Sequence, residues 1–166
     1  MVATAMEPAN QLNEKITSLY DFSRFDKIVQ VGCEHGGLIT SILKANPRAF
    51  GVLFDAEEVI AGARPKLEAA GIADRCAAIA GDFFQSVPAG GDAYIMKWML
   101  HDWDDASAIR ILKNCRSQMP QNGRVIIVDS VRTAKEFDEL LAAADLRFLR
   151  LIPTELPTSI IEADRC

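Results

Sequence analysis

The stretch Lys97 to Asp105 reads KWMLHDWDD and sets His101, one of only two histidines, between Trp98 and Trp103 and beside three aspartates. A histidine titrates close to neutral pH, so this one could take a proton from an attacking hydroxyl. The same residues also suit a plain helix start, with Asp104 or Asp105 as cap and the tryptophans packing. A second stretch, VQVGCEHGG, spaces Gly32, Gly36 and Gly37 where a backbone can turn tightly, approach a ligand and offer helix N–H groups to an anion. An ordinary strand-to-helix turn reads the same way. Asp55 lies about twenty residues further on, where an acid can accept hydrogen bonds from ribose hydroxyls or cap the next helix. In GDFF, Asp82 could meet an adenine amino group and Phe83 its face; the alternative is a turn with two core aromatics. Glycine loop and acid together point to a nucleoside-containing ligand. A dinucleotide such as NAD would satisfy them too, although GDFF and LHDW count against it.

These residues need a frame that brings strand ends together. Short apolar runs, KIVQVG, FGVLFD, RCAAIAG, DAYIMKW and RVIIVDS, alternate with stretches of helical period. That pattern predicts a parallel sheet covered by helices. LITSILKAN stops at Pro47, and EEVIAGARPKLEAAG ends at Gly71 as a C-cap, with Pro65 in a first turn or at a kink. ASAIRILKNCRSQM puts Ile109, Leu112 and Cys115 on one stripe and stops before PQNG. After AKEFDELLAAAD come two last strand candidates, RFLRLIP and TSIIEA. The expectation is an α/β fold, a doubly wound, mostly parallel sheet of seven strands closed by a hairpin. Ligands bind such sheets beyond the carboxyl ends of the strands, which is where all four stretches fall.

Length and charge narrow the options. A chain of 166 residues, 49% of them apolar, suits one folded domain. With net charge −5 and no basic run, neither nucleic acid nor an anionic membrane is an expected partner. Four cysteines without C-x-x-C spacing argue against zinc and against a secreted disulfide framework, and fit reduced thiols in a cytoplasm. The first ten residues lack the basic start and apolar core of a signal peptide.

YDFSRF, GVLFD, ADRCAAIAGDFFQSVPAGGDAYIMKWMLHDWDD, ILKNCRSQMP, GRVIIVDS and RTAKEFDELLAAA resemble, in this order, the catalytic domain of S-adenosylmethionine-dependent O-methyltransferases of the caffeate and hydroxyindole type. The resemblance implies a Rossmann-like class I methyltransferase fold with helices on both faces and a C-terminal antiparallel hairpin. Its implied cofactor is S-adenosylmethionine, held by a loop with Gly32, Glu34 and Gly36, by Asp55 at the ribose and by Asp82 and Phe83 at the adenine. Lys97 matches a lysine lining that site. His101 matches the general base, and Asp129 stands where the family has a glutamate that orients it. No metal is implied, and the acceptor would be a small, aromatic hydroxyl compound.

Departures from the family pattern define a competing expectation. The family loop reads D-V-G-G-G-x-G, whereas Gln30 replaces the acid and Cys33 and Glu34 replace glycines. A residue other than glycine at positive φ costs roughly 1–2 kcal/mol, and Glu34 brings a carboxylate toward the cofactor's own, unless it turns outward or partners the ammonium group. Family members are about twice as long, with an N-terminal dimerising domain and a further helical stretch between VDSV and RTAKEF. The expectation is a truncated catalytic domain, residues 19–166, behind a leader over 1–18 that is helical or partly disordered. It would be monomeric, or self-associating through surface the missing segments would cover. The alternative function is a catalytically silent, methyltransferase-like module acting through a protein partner or another ligand.

Overall fold

The computed structural model describes residues 3–130 and 132–166. In chain order the elements are α1 (Ala3–Leu19), β1 (Lys27–Val31), α2 (Gly37–Ala45), β2 (Phe50–Asp55), α3 (Glu57–Ala69), β3 (Cys76–Ala80), β4 (Ala93–Lys97), α4 (Asp105–Gln118), β5 (Arg124–Asp129), α5 (Ala134–Ala143), β6 (Leu146–Pro153) and β7 (Ser159–Arg165). They form one seven-stranded sheet in the order β3-β2-β1-β4-β5-β7-β6. Strands β1 to β5 pair parallel, while β7 runs antiparallel to both β5 and β6. The doubly wound sheet with its terminal hairpin is therefore present. Strand order reverses between β1 and β4, which opens a crevice at their carboxyl ends.

Alternation along the strands sorts the core into two layers. Ile28, Leu53, Ile95, Ile126 and Val128 face α1, α2 and α3, whereas Val29, Phe54, Met96, Val125 and Ile127 face α4 and α5. Central strands are buried on both faces, which is why they read as continuous apolar runs. Helix α1 lies within the first layer: Leu12 and Ile16 are buried there with Tyr20 and Phe22.

Two local features refine the helical stretches. Of the two places open to Pro65, first turn or helix interior, it takes the interior of α3, so the Ala61 carbonyl receives no bond from its N–H. In α4 the buried stripe is Ala108, Ile111, Leu112 and Cys115, with Ile109 half-buried at its edge. The junction of VDSV with RTAKEF includes Val131 and lies partly outside the described residues. Among the described residues no helix is long and apolar enough to cross a membrane.

Candidate active site

The polar residues at the crest divide by sheet face. Gln30, Asp55 and Lys97 follow the alternation of the α1–α3 side, whereas Asp129 follows that of the α4–α5 side.

On the first side the glycine turn is tightly made. Gly32 has φ +79°, and a Cβ there would lie 2.6 Å from Met99 Cγ, so both conformation and space require glycine. Gly36, at φ +83°, lets α2 close onto Leu53 and Leu67. Cys33 is fully buried and its N–H donates to Asp55 Oδ2 at 2.9 Å, while Asp55 Oδ1 accepts from Ala56 N–H at 2.7 Å. Each oxygen keeps a lone pair, so the acid that positions the turn is still able to accept ribose hydroxyls. Burial, reinforced by the nearby Asp55 carboxylate, pushes the Cys33 thiol up to about 11. Gln30 is buried; its amide N–H donates to the Gly32 carbonyl at 3.3 Å and its Oε1 has no partner.

Glu34 is partly exposed and has a partner within the chain. Its φ is +40°, that of His35 is +78°, and its carboxylate lies 3.5 Å from Lys97 Nζ. Lys97 is only 2% exposed. Its ammonium donates to Asn13 Oδ1 at 2.8 Å and lies 4.4 Å from the centre of the Trp98 ring. Burial lowers the Lys97 pKa, and Glu34 opposes part of that shift. Asn13 was not legible as a site residue, since its role depends on where α1 docks.

The GDFF segment carries both of its readings. Asp82 Oδ1 accepts from Phe84 N–H at 2.9 Å, closing a turn, and Gly81 lies flat against the Phe54 ring. Phe83 and Phe84 pack on Trp103, the latter edge-on at 4.8 Å between ring centres. Asp82 itself is exposed and retains an oxygen for a ligand.

On the other side His101 follows β4 and meets Asp129 at the end of β5. Nδ1 is 3.2 Å from Asp129 Oδ1, which also accepts from Ser130 N–H at 2.8 Å. Asp129 is 1% exposed and its Oδ2 lacks a partner. Nε2 lies 3.3 Å from Oδ1 of Asp102, whose side chain is 65% exposed. The helix-start reading holds as well, because Asp104 caps α4 by accepting from Ser107 N–H at 2.8 Å. His101 borders a cavity of about 420 Å³ between α4 and α5, floored by Ile109 and Leu140 and flanked by Asp105 and Arg132. Arg132, which reaches Asp105 at 2.8 Å, escaped the sequence reading. Among the described residues no group of three His, Cys, Asp or Glu side chains is placed to hold a metal ion.

A glycine turn thus stands beside an acidic strand end, with a histidine held by a buried carboxylate across the crest. Residues 2–153 match the O-methyltransferase domain family. The chain belongs to that family. It is 39% identical to the phenazine O-methyltransferase PhzM of Lysobacter antibioticus, a match covering 92% of this chain and 52% of that protein. That alignment runs over 178 residues, more than this chain possesses, so the relative carries residues inside the matched span that are absent here. Among solved structures, LaPhzM superposes with a TM-score of 0.92 at 38% identity, covering 95% of this chain and 55% of that one. An O-methyltransferase from neocarzinostatin biosynthesis, solved with S-adenosylmethionine and 2-hydroxy-5-methyl naphthoic acid, superposes with a TM-score of 0.91 at 28% identity over 98% of this chain and 56% of its own. The chain thus spans about half the length of the relatives it matches.

Proposed function

We propose that this chain is the nucleoside-binding and proton-handling part of an S-adenosylmethionine-dependent O-methyltransferase whose acceptor is a hydroxyl of a small aromatic compound. The observation that carries the reading is the half-exposed His101, gripped at Nδ1 by the buried Asp129 at 3.2 Å, directly beyond β4. A carboxylate in that place favours the Nδ1–H tautomer, leaving Nε2 as the basic nitrogen. A base so oriented contributes typically 10²–10⁴-fold to rate. The Asp102 side chain is 65% exposed and need not hold Nε2 when an acceptor hydroxyl arrives.

The crest residues fit a nucleoside. Asp55 has free lone pairs, Gln30 Oε1 is buried without a partner, and Asp82 and Phe83 belong to an exposed turn. Gly32, Gly36, Asp55, Asp82, Phe83 and Lys97 are the residues assigned to hold it, with Glu34 placed only at its amino-acid tail. S-adenosylmethionine, when bound, would supply an electrophilic sulfonium methyl group; the chain's own task is to orient the acceptor oxygen and receive its proton at His101 Nε2. Buried free thiols at Cys33, Cys76 and Cys115 agree with a reducing, cytoplasmic setting.

One observation favours the silent-module alternative: Lys97 already has its countercharge within the chain, in Glu34. Calorimetric titration of the protein with S-adenosylmethionine, beside NAD, separates the readings. Heat with the sulfonium nucleoside alone is expected. Silence with it, or heat only with NAD, removes the proposal.

A further inference from the structure

We infer that Glu34 is a specificity-determining latch: it occupies, from within the chain, the charge of Lys97 that the carboxylate tail of an amino-acid-bearing nucleoside would otherwise take. The inference rests on the nucleoside-binding reading above and adds to it a residue that grades ligands by their tail.

Three observations support a displaceable contact rather than a permanent strut. First, Lys97 is almost wholly buried, and its two other neighbours, Asn13 and the Trp98 ring, carry no negative charge. Among the described residues Glu34 is the one carboxylate within ion-pairing distance of it. A buried ammonium without a countercharge is unfavourable, so whichever carboxylate reaches Lys97 is held there. Second, the contact from Glu34 is loose. Its 3.5 Å separation exceeds the roughly 2.7–2.9 Å of a good charge-assisted bond, and the side chain is 44% exposed. Glu34 and His35 both lie in the left-handed region, a strained conformation for residues that carry a side chain. Third, the turn that carries Glu34 leads into α2 at the reversal of strand order, beside helix N–H groups that welcome an anion. A ligand carboxylate arriving there takes the place of Glu34 on Lys97, and the displaced Glu34 carboxylate turns to solvent from its partly exposed position on the turn. Only ligands with such a tail must displace Glu34; a bare nucleoside need not.

The test compares two probes, S-adenosylhomocysteine, which has the amino-acid tail, and 5′-methylthioadenosine, which lacks it. Each is titrated calorimetrically into the parent chain, Glu34→Gln and Glu34→Gly, the glycine variant also relieving the positive φ. The latch predicts that both variants bind S-adenosylhomocysteine about three- to tenfold tighter, as expected for releasing a partly exposed ion pair, and methylthioadenosine unchanged. A flat ratio of the two affinities overturns the latch while leaving nucleoside binding intact. Weaker S-adenosylhomocysteine binding in both variants also overturns it, because Glu34 would then be reading the ligand's ammonium group. If no form binds either nucleoside, the functional reading falls and the latch with it.

Discussion

Replacing Gly32 by alanine tests the cradle where its geometry is tightest. The residue stands at φ +79°, and the new Cβ would fall 2.6 Å from Met99 Cγ and 3.2 Å from Met99 Cβ. Left-handed backbone costs a residue with a side chain roughly 1–2 kcal/mol. The collision adds to this, because Met99 is 7% exposed and its Cβ and Cγ are the inflexible part of the side chain; forced repacking of this kind costs about 1–3 kcal/mol. The sum is about 2–5 kcal/mol, which for a domain of this size lowers the melting temperature by about 5–15 °C. Gly71→Ala isolates the first contribution: Gly71 has φ +75° but open space around its missing Cβ, so only the backbone cost of roughly 1–2 kcal/mol applies. Thermal and urea unfolding of the two variants give the comparison directly. Equal losses would mean that Met99 does not crowd Gly32, and the argument for a close-fitting turn would be wrong.

Other outcomes follow from the same structure. Asn13→Leu takes the buried acceptor from Lys97 and should lower stability by about 1–3 kcal/mol in urea unfolding, with Asn13→Asp recovering much of the loss. Asp129→Asn should abolish the Nδ1–H preference of His101, visible in the ¹⁵N resonances of the ring, and reduce methyl transfer by about 10²–10⁴-fold without weakening nucleoside binding. Cys166, exposed, should react with a thiol reagent at once, and Cys33, Cys76 and Cys115 only on unfolding. Burial pushes Cys33 to about 11 and Cys115 to about 12, against 9.0 for an ordinary thiol, so the unfolded chain ionises first and stability falls as pH climbs above 9.0. Lys97, whose pKa is lowered, sheds its proton earlier in the folded chain and works the other way. Lys97→Met should therefore steepen the alkaline fall in a series of urea midpoints.

The sheet was legible because parallel strands buried on both faces are apolar nearly throughout, as VLF and VIIV are and as IVQV is but for Gln30, and the glycines and helical stretches between them mark the crossings. Asp104 was legible as a cap because capping is local in sequence. Asp129 came only through resemblance, since nothing in residues 124–130 alone says that the last acid of a strand meets a histidine 28 positions earlier. The surroundings of Lys97 were illegible for a stronger reason. Asn13 is 84 positions away on a helix whose docking is decided by Leu12 and Ile16 entering the core, and local pattern carries no record of that partner. Glu34 announced a conflict in the loop, but which positive group it would find depended on the alternation that turns Lys97 toward α1 rather than toward α4.

That alternation also bears on how such a protein changes over generations. The sheet separates the two layers below, but at the crest Gly32 stands against Met99, two residues before His101, so a change in the gripping turn is felt where a proton would be handled. Departures from the family pattern accordingly stand on both sides, Cys33 and Glu34 in the gripping turn and Asp129, in place of a glutamate, beside the histidine.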